Sequence, residues 1–255
     1  MTTLWLPAAL PHVIAAMAIV LFAGIVRGFA GFGFSALTVA GTSLYMSPAQ
    51  IVPAVFVLEV LASLTLLASV WRQIDWAWLR PLLIGSALAI PLGVAMLARA
   101  PEAPLRAAVS GVILMAALLL LGGWRAPWTD SAALRLGTGF ASGLLNGLAA
   151  IGGMAVAVML FSASISGAAV RATLIAMFFA TDLYSLGWAG NNDLLDANLL
   201  RWVGWLTVPM VIGIALGRGH FLRVDEAGFR RHVLRTLAVI AGLGLIRASS
   251  PLWHD

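Results

Sequence analysis

Cysteine is absent from the 255 residues, and so is lysine, since all 15 basic residues are arginine. The lack of cysteine excludes disulfides, thiolate metal sites and cysteine nucleophiles. Charge of either sign is scarce, because charged residues make up 10% of the chain, against about 25% in a soluble domain. With 62% hydrophobic residues and a mean hydropathy of +1.00, the chain has too few polar side chains to coat a water-soluble globule of this size.

Residues that carry metal or catalytic chemistry are also sparse. The four histidines are scattered over segment ends and loops, and no serine stands in a GxSxG pattern or beside a histidine. We therefore expect no metal site and no cofactor, and the lack of a nucleophile–base pair disfavours an intramembrane enzyme. The net charge of +5 does not indicate nucleic acid as a partner, because the arginines cluster at the ends of apolar runs, as they do beside membrane spans.

What the chain does contain is a series of apolar runs of about 20 residues, the length that crosses a bilayer as a helix. Short polar loops separate these runs. The pattern predicts an all-α, polytopic membrane protein with about eight to ten membrane segments. The predicted segments are 7–27, 32–46, 48–70, 79–98 and 105–121, then 132–149, 154–163, 167–188, 199–216 and 231–246.

The chain is internally duplicated. Gly143–Ser162 (GLLNGLAAIGGMAVAVMLFS) reproduces Gly24–Tyr45 (GIVRGFAGFGFSALTVAGTSLY) at an offset of 119 residues. We predict a first repeat over residues 1–123, a linker over 124–131 and a second repeat over 132–255, together forming one membrane domain. Each repeat would hold a broken or re-entrant helical hairpin followed by three transmembrane helices. Because five segments is an odd number, the second repeat must lie inverted relative to the first.

The arginines favour one orientation of this arrangement. Ten of the 15 lie on one predicted face, in or beside the loop after residue 70, the linker and the loop after residue 216, together with Arg171. The arginine-rich face should be cytoplasmic. We therefore expect the protein in the cell (inner) membrane, with its N-terminus outside, on the periplasmic side.

Glycines crowd the tips of both hairpins. Gly31 and Gly33, followed by Phe34, interrupt the first hairpin, and Gly152 and Gly153 interrupt the second. The first amides of the helix after such a break lack intrahelical partners and carry the positive end of its dipole. Two such N-termini meeting near the bilayer midplane would form an anion site made of backbone, which glycine leaves open to a ligand. Other glycines have the GxxxG spacing of helix packing faces, at 24, 28, 143 and 147.

Two arginines are candidates for binding the substrate. Arg27 could hold an oxyanion with its planar guanidinium, with Asn146, its counterpart in the second repeat, donating hydrogen bonds. The alternative is a structural ion pair of Arg27 with Glu59 or Asp182. Arg171 lies in the first turn of its segment, where it could bind substrate or extend to the membrane interface.

Glu59 and Asp182 lie in the middle of corresponding segments, about one helical turn from strict equivalence. A carboxylate in an apolar setting can carry a proton, so both are candidates for proton coupling. The alternative is that they balance the charge of Arg27 or Arg171.

The stretches at the two tips, FAGIVRGFAGFGFSALTVAG and ASGLLNGLAAIGGMAVAVML, resemble the sulfite exporter TauE/SafE family of membrane transporters. The likeness covers nearly the whole chain and rests on an apolar helix, a glycine-rich break and a second apolar segment in each half. The resemblance implies export of sulfite, of small organosulfonates such as sulfoacetate, or of other sulfur-containing anions. It agrees with the anion site inferred from the tips.

From these features we predict a secondary transporter of a small sulfur-containing oxyanion rather than an enzyme, with one repeat rocking against the other. An anion-selective channel, or a carrier of another small carboxylate or inorganic anion, fits the same pattern. The expected partners are the anionic substrate and the lipid bilayer, and the sequence leaves a homodimer open. The predicted substrate-binding residues are Arg27, Gly31, Gly33, Phe34, Asn146, Gly152, Gly153 and Arg171.

Overall fold

A computed structural model of the protein describes residues 6–123, 131–160, 165–220 and 226–249. Within these ranges the chain is helical throughout, apart from short turns, and contains no strand. The α-helices in chain order are α1 (Leu6–Ala30), α2 (Phe34–Thr42), α3 (Pro48–Val70), α4 (Trp76–Arg99), α5 (Glu102–Leu121), α6 (Ala132–Ala149), α7 (Gly152–Leu160), α8 (Gly167–Asn191), α9 (Ala197–His220) and α10 (Glu226–Ser249).

Six of these helices, α1, α3, α4, α5, α8 and α9, are long and apolar enough to cross a membrane, with mean hydropathies between 1.3 and 2.3. The all-α, polytopic membrane fold is therefore confirmed. In contrast, α2 and α7 have nine residues each. At 1.5 Å per residue they extend only about 14 Å, against about 30 Å of hydrocarbon. The length of α2 is that of a half-helix, as the hairpin prediction requires, whereas α7 is described only as far as Leu160.

The helix boundaries differ from the predicted ones mainly at polar ends. The fourth helix begins at Trp76 rather than at 79, because the Asp75 carboxylate accepts hydrogen bonds from the amides of Ala77 and Trp78, at 3.0 and 3.2 Å. Similarly, α9 continues to His220 and α10 begins at Glu226, so the predicted loop over 217–230 is shorter than expected. The predicted linker, 124–131, lies almost entirely outside the described residues, as does the end of the predicted segment 154–163.

Helices α1–α5 correspond in order to α6–α10, and the most extensive contacts between helices follow this correspondence. If each helix in such a contact is replaced by its counterpart, the result is again one of these contacts. Helix α1 packs along α9, and its counterpart α6 packs along α4. Helices α3 and α8, which are counterparts of each other, pack together, and so do α5 and α10. This pattern is what a duplication would give, although the division into repeats and their inversion stay predictions.

Glycines set the close approach of the α1–α9 and α4–α6 pairs. A Cβ atom added to Gly24 would lie 2.8 Å from the carbonyl oxygen of Met210, and one added to Gly28 would overlap the carbonyl of Ile214. In the other pair, Gly143 and Gly147 lie against the α4 backbone in the same way. The packing role predicted for these four glycines is confirmed, because backbone atoms cannot move aside for a side chain.

Candidate functional site

The first break separates α1 from α2 over three residues. Gly31 and Gly33 have φ of 79° and 91°, the left-handed conformation that glycine adopts without strain. The backbone amide of Leu37 donates to Gly33 at 3.1 Å. This is the i to i−4 bond that opens α2, so the preceding amides, including that of Ser35, have no carbonyl partner within the helix.

The guanidinium of Arg27, four residues before the break, is fully buried and joins α1 to α3. Its Nη2 lies 3.0 Å from Glu59 Oε2 and donates to Ser63 Oγ at 2.9 Å. Its Nη1 donates to the carbonyl oxygen of Gly31 at 2.7 Å, which fixes the break against the end of α1. The sequence left open whether Arg27 binds an oxyanion or forms a structural ion pair. In the structure it forms the ion pair, with Glu59.

The Glu59 carboxylate also caps the N-terminus of α2. Its Oε1 accepts from the amide of Ser35 at 3.3 Å, so the carboxylate lies at the positive end of the half-helix. At the other end of α2, Arg106 donates to the carbonyl oxygen of Ser43, the C-terminal cap. A negative group at one end and a positive group at the other both match the dipole of this short helix.

The second break has the same plan with different chemistry. Helix α6 ends at Ala149, Ala150 caps it with φ 57°, and α7 begins at Gly152. The second break is therefore Ala150–Ile151, and the predicted break residues Gly152 and Gly153 instead form the first turn of α7. The amide of Asn146 donates to Asp182 Oδ1 at 2.8 Å and to Ser185 Oγ at 3.2 Å. Asn146 thus binds a carboxylate and a serine on α8, as Arg27 does on α3, but without a formal positive charge.

Two acceptor atoms of this second cluster are buried without a hydrogen-bond partner: Asp182 Oδ2 and Asn146 Oδ1. Asp182 also has no cation within ion-pair distance among the described residues, and both side chains are about 1% exposed. Buried acceptors of this kind are costly unless a proton or another donor reaches them.

The ring of Phe178 brings the two breaks together. The guanidinium carbon of Arg27 lies 4.3 Å from the ring centroid, within the range of a cation–π contact. The same ring occupies the space where a side chain at Gly153 would be. Phe178 lies one helical turn before Asp182 on α8, and Asp182 is within electrostatic range of both Arg27 and Glu59. The two polar clusters therefore form one buried region between α3 and α8.

Arg171 lies against the first break, not the second. Its Nη2 donates to the carbonyl oxygen of Gly28 at 2.8 Å, and its aliphatic stem packs where a Cβ of Gly31 would be. The side chain is half-buried. It joins the start of α8 to the tip that carries Arg27, rather than simply extending to the membrane interface.

The structure thus brings the predicted residues into one neighbourhood but changes what the glycines do. Gly152 and Gly153 leave room for Ser142, Asn146 and Phe178, so protein atoms cover the start of α7. Phe34 at the start of α2 is fully buried. Sequence reasoning missed Ser63, Ser185 and Phe178. A signal existed, because all three lie three or four residues from Glu59 or Asp182, on the same helix face.

These features define a multi-pass membrane protein with a polar site enclosed by apolar helices, the class that includes membrane transporters. The family model for the sulfite exporter TauE/SafE family matches residues 16–244, which is most of the chain. The protein belongs to this family. Neither a curated protein nor a solved structure gives a significant match.

Proposed function

We propose that the protein is a secondary transporter that exports a small sulfur-containing oxyanion, such as sulfite or an organosulfonate like sulfoacetate. Family membership supports the substrate class. The observation that carries the proposal is that the first break already holds an oxyanion of the chain itself. The Glu59 carboxylate lies between the Arg27 guanidinium and an α2 amide, which are the donors that a sulfite or sulfonate group would use.

In this proposal the substrate binds between the two breaks. Arg27 supplies the charge, and the amides at Gly33 and Phe34 supply backbone donors. Asn146 and the start of α7 at Gly152–Gly153 complete the site from the second half. Glu59, which pairs with Arg27, lies halfway along the membrane-spanning α3. This position supports a site near the middle of the bilayer.

Phe178 and Arg171 would control access to the two halves of this site. Phe178 covers Gly153 and must move before an anion can approach the α7 amides. Arg171 holds the backbone at Gly28 and Gly31, and its half-buried position would let it attract an anion toward the first break.

Charge balance supports coupling to protons. The fully buried charged groups of the region are one guanidinium, Arg27, and two carboxylates, Glu59 and Asp182, while Arg171 lies half-buried against the first break. An anion added to this group would accumulate negative charge in a medium that screens it poorly. A proton taken up by Glu59 or Asp182 would remove that cost, so we propose that one of these two carboxylates carries the coupled proton.

The burial of the site favours a carrier over an anion channel. The side chains of Arg27, Glu59, Asn146 and Asp182 are at most 1% exposed, so the region is closed to water on both sides. A conducting pore would keep these groups hydrated. A closed site between two breaks fits alternating access, with the two halves rocking against each other.

We propose that these halves are inverted repeats. The proposal is supported by two corresponding contacts, because α1 packs along α9 and their counterparts α6 and α4 also pack together. The arginine distribution then gives an inner-membrane protein with its N-terminus on the periplasmic side.

The substrate class is tested by binding to the purified protein in detergent. We expect sulfite, sulfoacetate and isethionate to raise the midpoint of thermal unfolding, because a ligand that binds only the folded state stabilises it. Sulfate, acetate and the zwitterion taurine are the comparison compounds. Equal responses to acetate and the sulfonates would point to a carboxylate carrier, and no response to any anion would contradict the proposal.

A further inference from the structure

We propose that Glu59 is a tethered competitor of the transported anion: its carboxylate occupies the anion site when substrate is absent and gives it up on protonation. This inference rests on the proposed function and specifies how that site is controlled. It assigns the coupled proton to Glu59 rather than to Asp182.

The contacts of Glu59 are those of a bound oxyanion. One oxygen lies 3.0 Å from Arg27 Nη2, and the other accepts from the amide of Ser35 at 3.3 Å. The side chain is wholly buried. A guanidinium and a helix N-terminus are two of the commonest donors for anionic ligands in proteins, and here each contacts a different oxygen of one carboxylate.

The remaining donors of Arg27 leave little room for a second anion. Nη1 donates to Gly31 and Nη2 also donates to Ser63, while the face of the guanidinium lies over Phe178. Only the Nε atom, which is buried, has no hydrogen-bond partner. An arriving oxyanion can pair fully with Arg27 only if the Glu59 carboxylate moves away.

The charged groups that face Glu59 explain why protonation would release it. Arg27 on α1 attracts the carboxylate, and Asp182 on α8 lies within electrostatic range and repels it. With both carboxylates ionised, the fully buried groups Arg27, Glu59 and Asp182 carry a net charge of −1, and a bound monoanion would bring it to −2; Arg171 lies half-buried against the first break. A proton on Glu59 cancels its attraction to Arg27 and offsets the charge of the incoming anion.

The second half of the site has no such competitor. Asp182 accepts a hydrogen bond from the neutral amide of Asn146, so it does not occupy a cationic donor that a substrate needs. Protonating Asp182 would lower the negative charge nearby but would not free Arg27. Because only Glu59 occupies a cationic donor, the competitor role falls to Glu59 and not to Asp182.

The consequence is a defined pH dependence of anion binding. In the range where Glu59 is ionised, binding one anion takes up one proton, so the affinity should fall by up to about tenfold for each unit of rising pH. Isethionate is the probe of choice, because its sulfonate stays ionised over the whole range and any pH effect must come from the protein.

The test compares wild type with Glu59→Gln as full-length protein in detergent, by isethionate binding between mildly acidic and mildly alkaline pH. The variant should bind at least tenfold more tightly than wild type at alkaline pH, with a weaker pH dependence, because Asp182 is then the remaining buried carboxylate. Glu102→Gln is the matched control, because Glu102 is the other described glutamate that pairs with an arginine, Arg106, and it lies outside the site. It should keep the wild-type affinity and pH profile.

The failures of the two proposals are distinguishable. If wild type binds isethionate but Glu59→Gln binds no more tightly, or keeps the full pH dependence of wild type, the competitor role is overturned while the transporter proposal stands. If neither protein binds any sulfonate at any pH, both are overturned. If Glu59→Gln is too unstable to purify alone, isethionate in the buffers should restore its yield, since the anion replaces the lost partner of Arg27. No recovery with isethionate would count against the competitor role.

Discussion

The two buried carboxylates differ in what they stabilise. Glu59 neutralises Arg27, so Glu59→Gln leaves a buried guanidinium unpaired, at a cost of about 3–5 kcal/mol. Asp182 has no cationic partner within ion-pair distance among the described residues. In Asp182→Asn, the new amide can donate to the unpartnered Asn146 Oδ1. Without anions, we expect a lower midpoint of thermal unfolding for Glu59→Gln and an unchanged or higher one for Asp182→Asn. The reverse order would contradict these partner assignments.

Gly153 and Phe178 form a second residue pair whose coupling can be measured. Gly153→Ala puts a methyl group into the space of the Phe178 ring, and overpacking of this kind costs about 1–3 kcal/mol. The shorter side chain of Phe178→Leu should relieve the clash. We therefore expect the double variant to be more stable than the sum of the two single effects, by about 1 kcal/mol. Additive effects on thermal unfolding would show that the ring does not lie against this glycine.

At the scale of elements, α2 shows how a half-helix too short to cross the membrane is fixed in place. The Glu59 carboxylate lies at its N-terminus and the Arg106 guanidinium at its C-terminus, so both ends match the helix dipole. Two positive-φ glycines allow the chain to turn into it. If Glu59 leaves on protonation, the N-terminal contact of α2 is lost, which connects the state of the site to the position of this element.

The close contact between α4 and α6 gives a prediction at the same scale. On α6, a Cβ at Gly143 would overlap the carbonyl of Ser86, whereas one at Gly137 would meet nothing within 4 Å. Gly143→Ala should therefore destabilise the protein by about 1–3 kcal/mol. Gly137→Ala is the matched control, and its higher helix propensity should leave stability unchanged or raise it by up to about 1 kcal/mol. Equal thermal midpoints for the two variants would exclude the close packing of α4 on α6.

For the whole molecule, the sequence allowed most helices and both breaks to be predicted, because these depend on local features. Apolar runs set the helices, and the glycines at the first tip set the first break. Residues 31–33 do form that break, whereas the second lies at Ala150–Ile151, just before the predicted Gly152 and Gly153, and its positive-φ residue is Ala150. The predicted starts of α4 and α10 were less accurate, and at α4 the reason is that the Asp75 cap extends the helix past its apolar run.

The contacts within the site could be predicted only in part. The sequence indicated that Arg27 had either a ligand or an internal carboxylate as its partner. The choice of Glu59 depends on how α3 rotates against α1, which no local pattern specifies. The place of Phe178 between Arg27 and Gly153 depends in turn on the packing of α8 against both breaks. Long-range packing of this kind follows from the whole fold.

The central claim is that the Arg27–Glu59 region binds the transported anion, and flux in proteoliposomes tests it most directly. The double variant Arg27→Gln/Glu59→Gln removes the ion pair as a unit, which costs far less stability than removing one partner. Wild type should show saturable sulfite or sulfoacetate flux that responds to a proton gradient. The double variant should fold, with a thermal midpoint near that of wild type, and should lose this flux. Saturable flux at the wild-type rate in the double variant would contradict the claim.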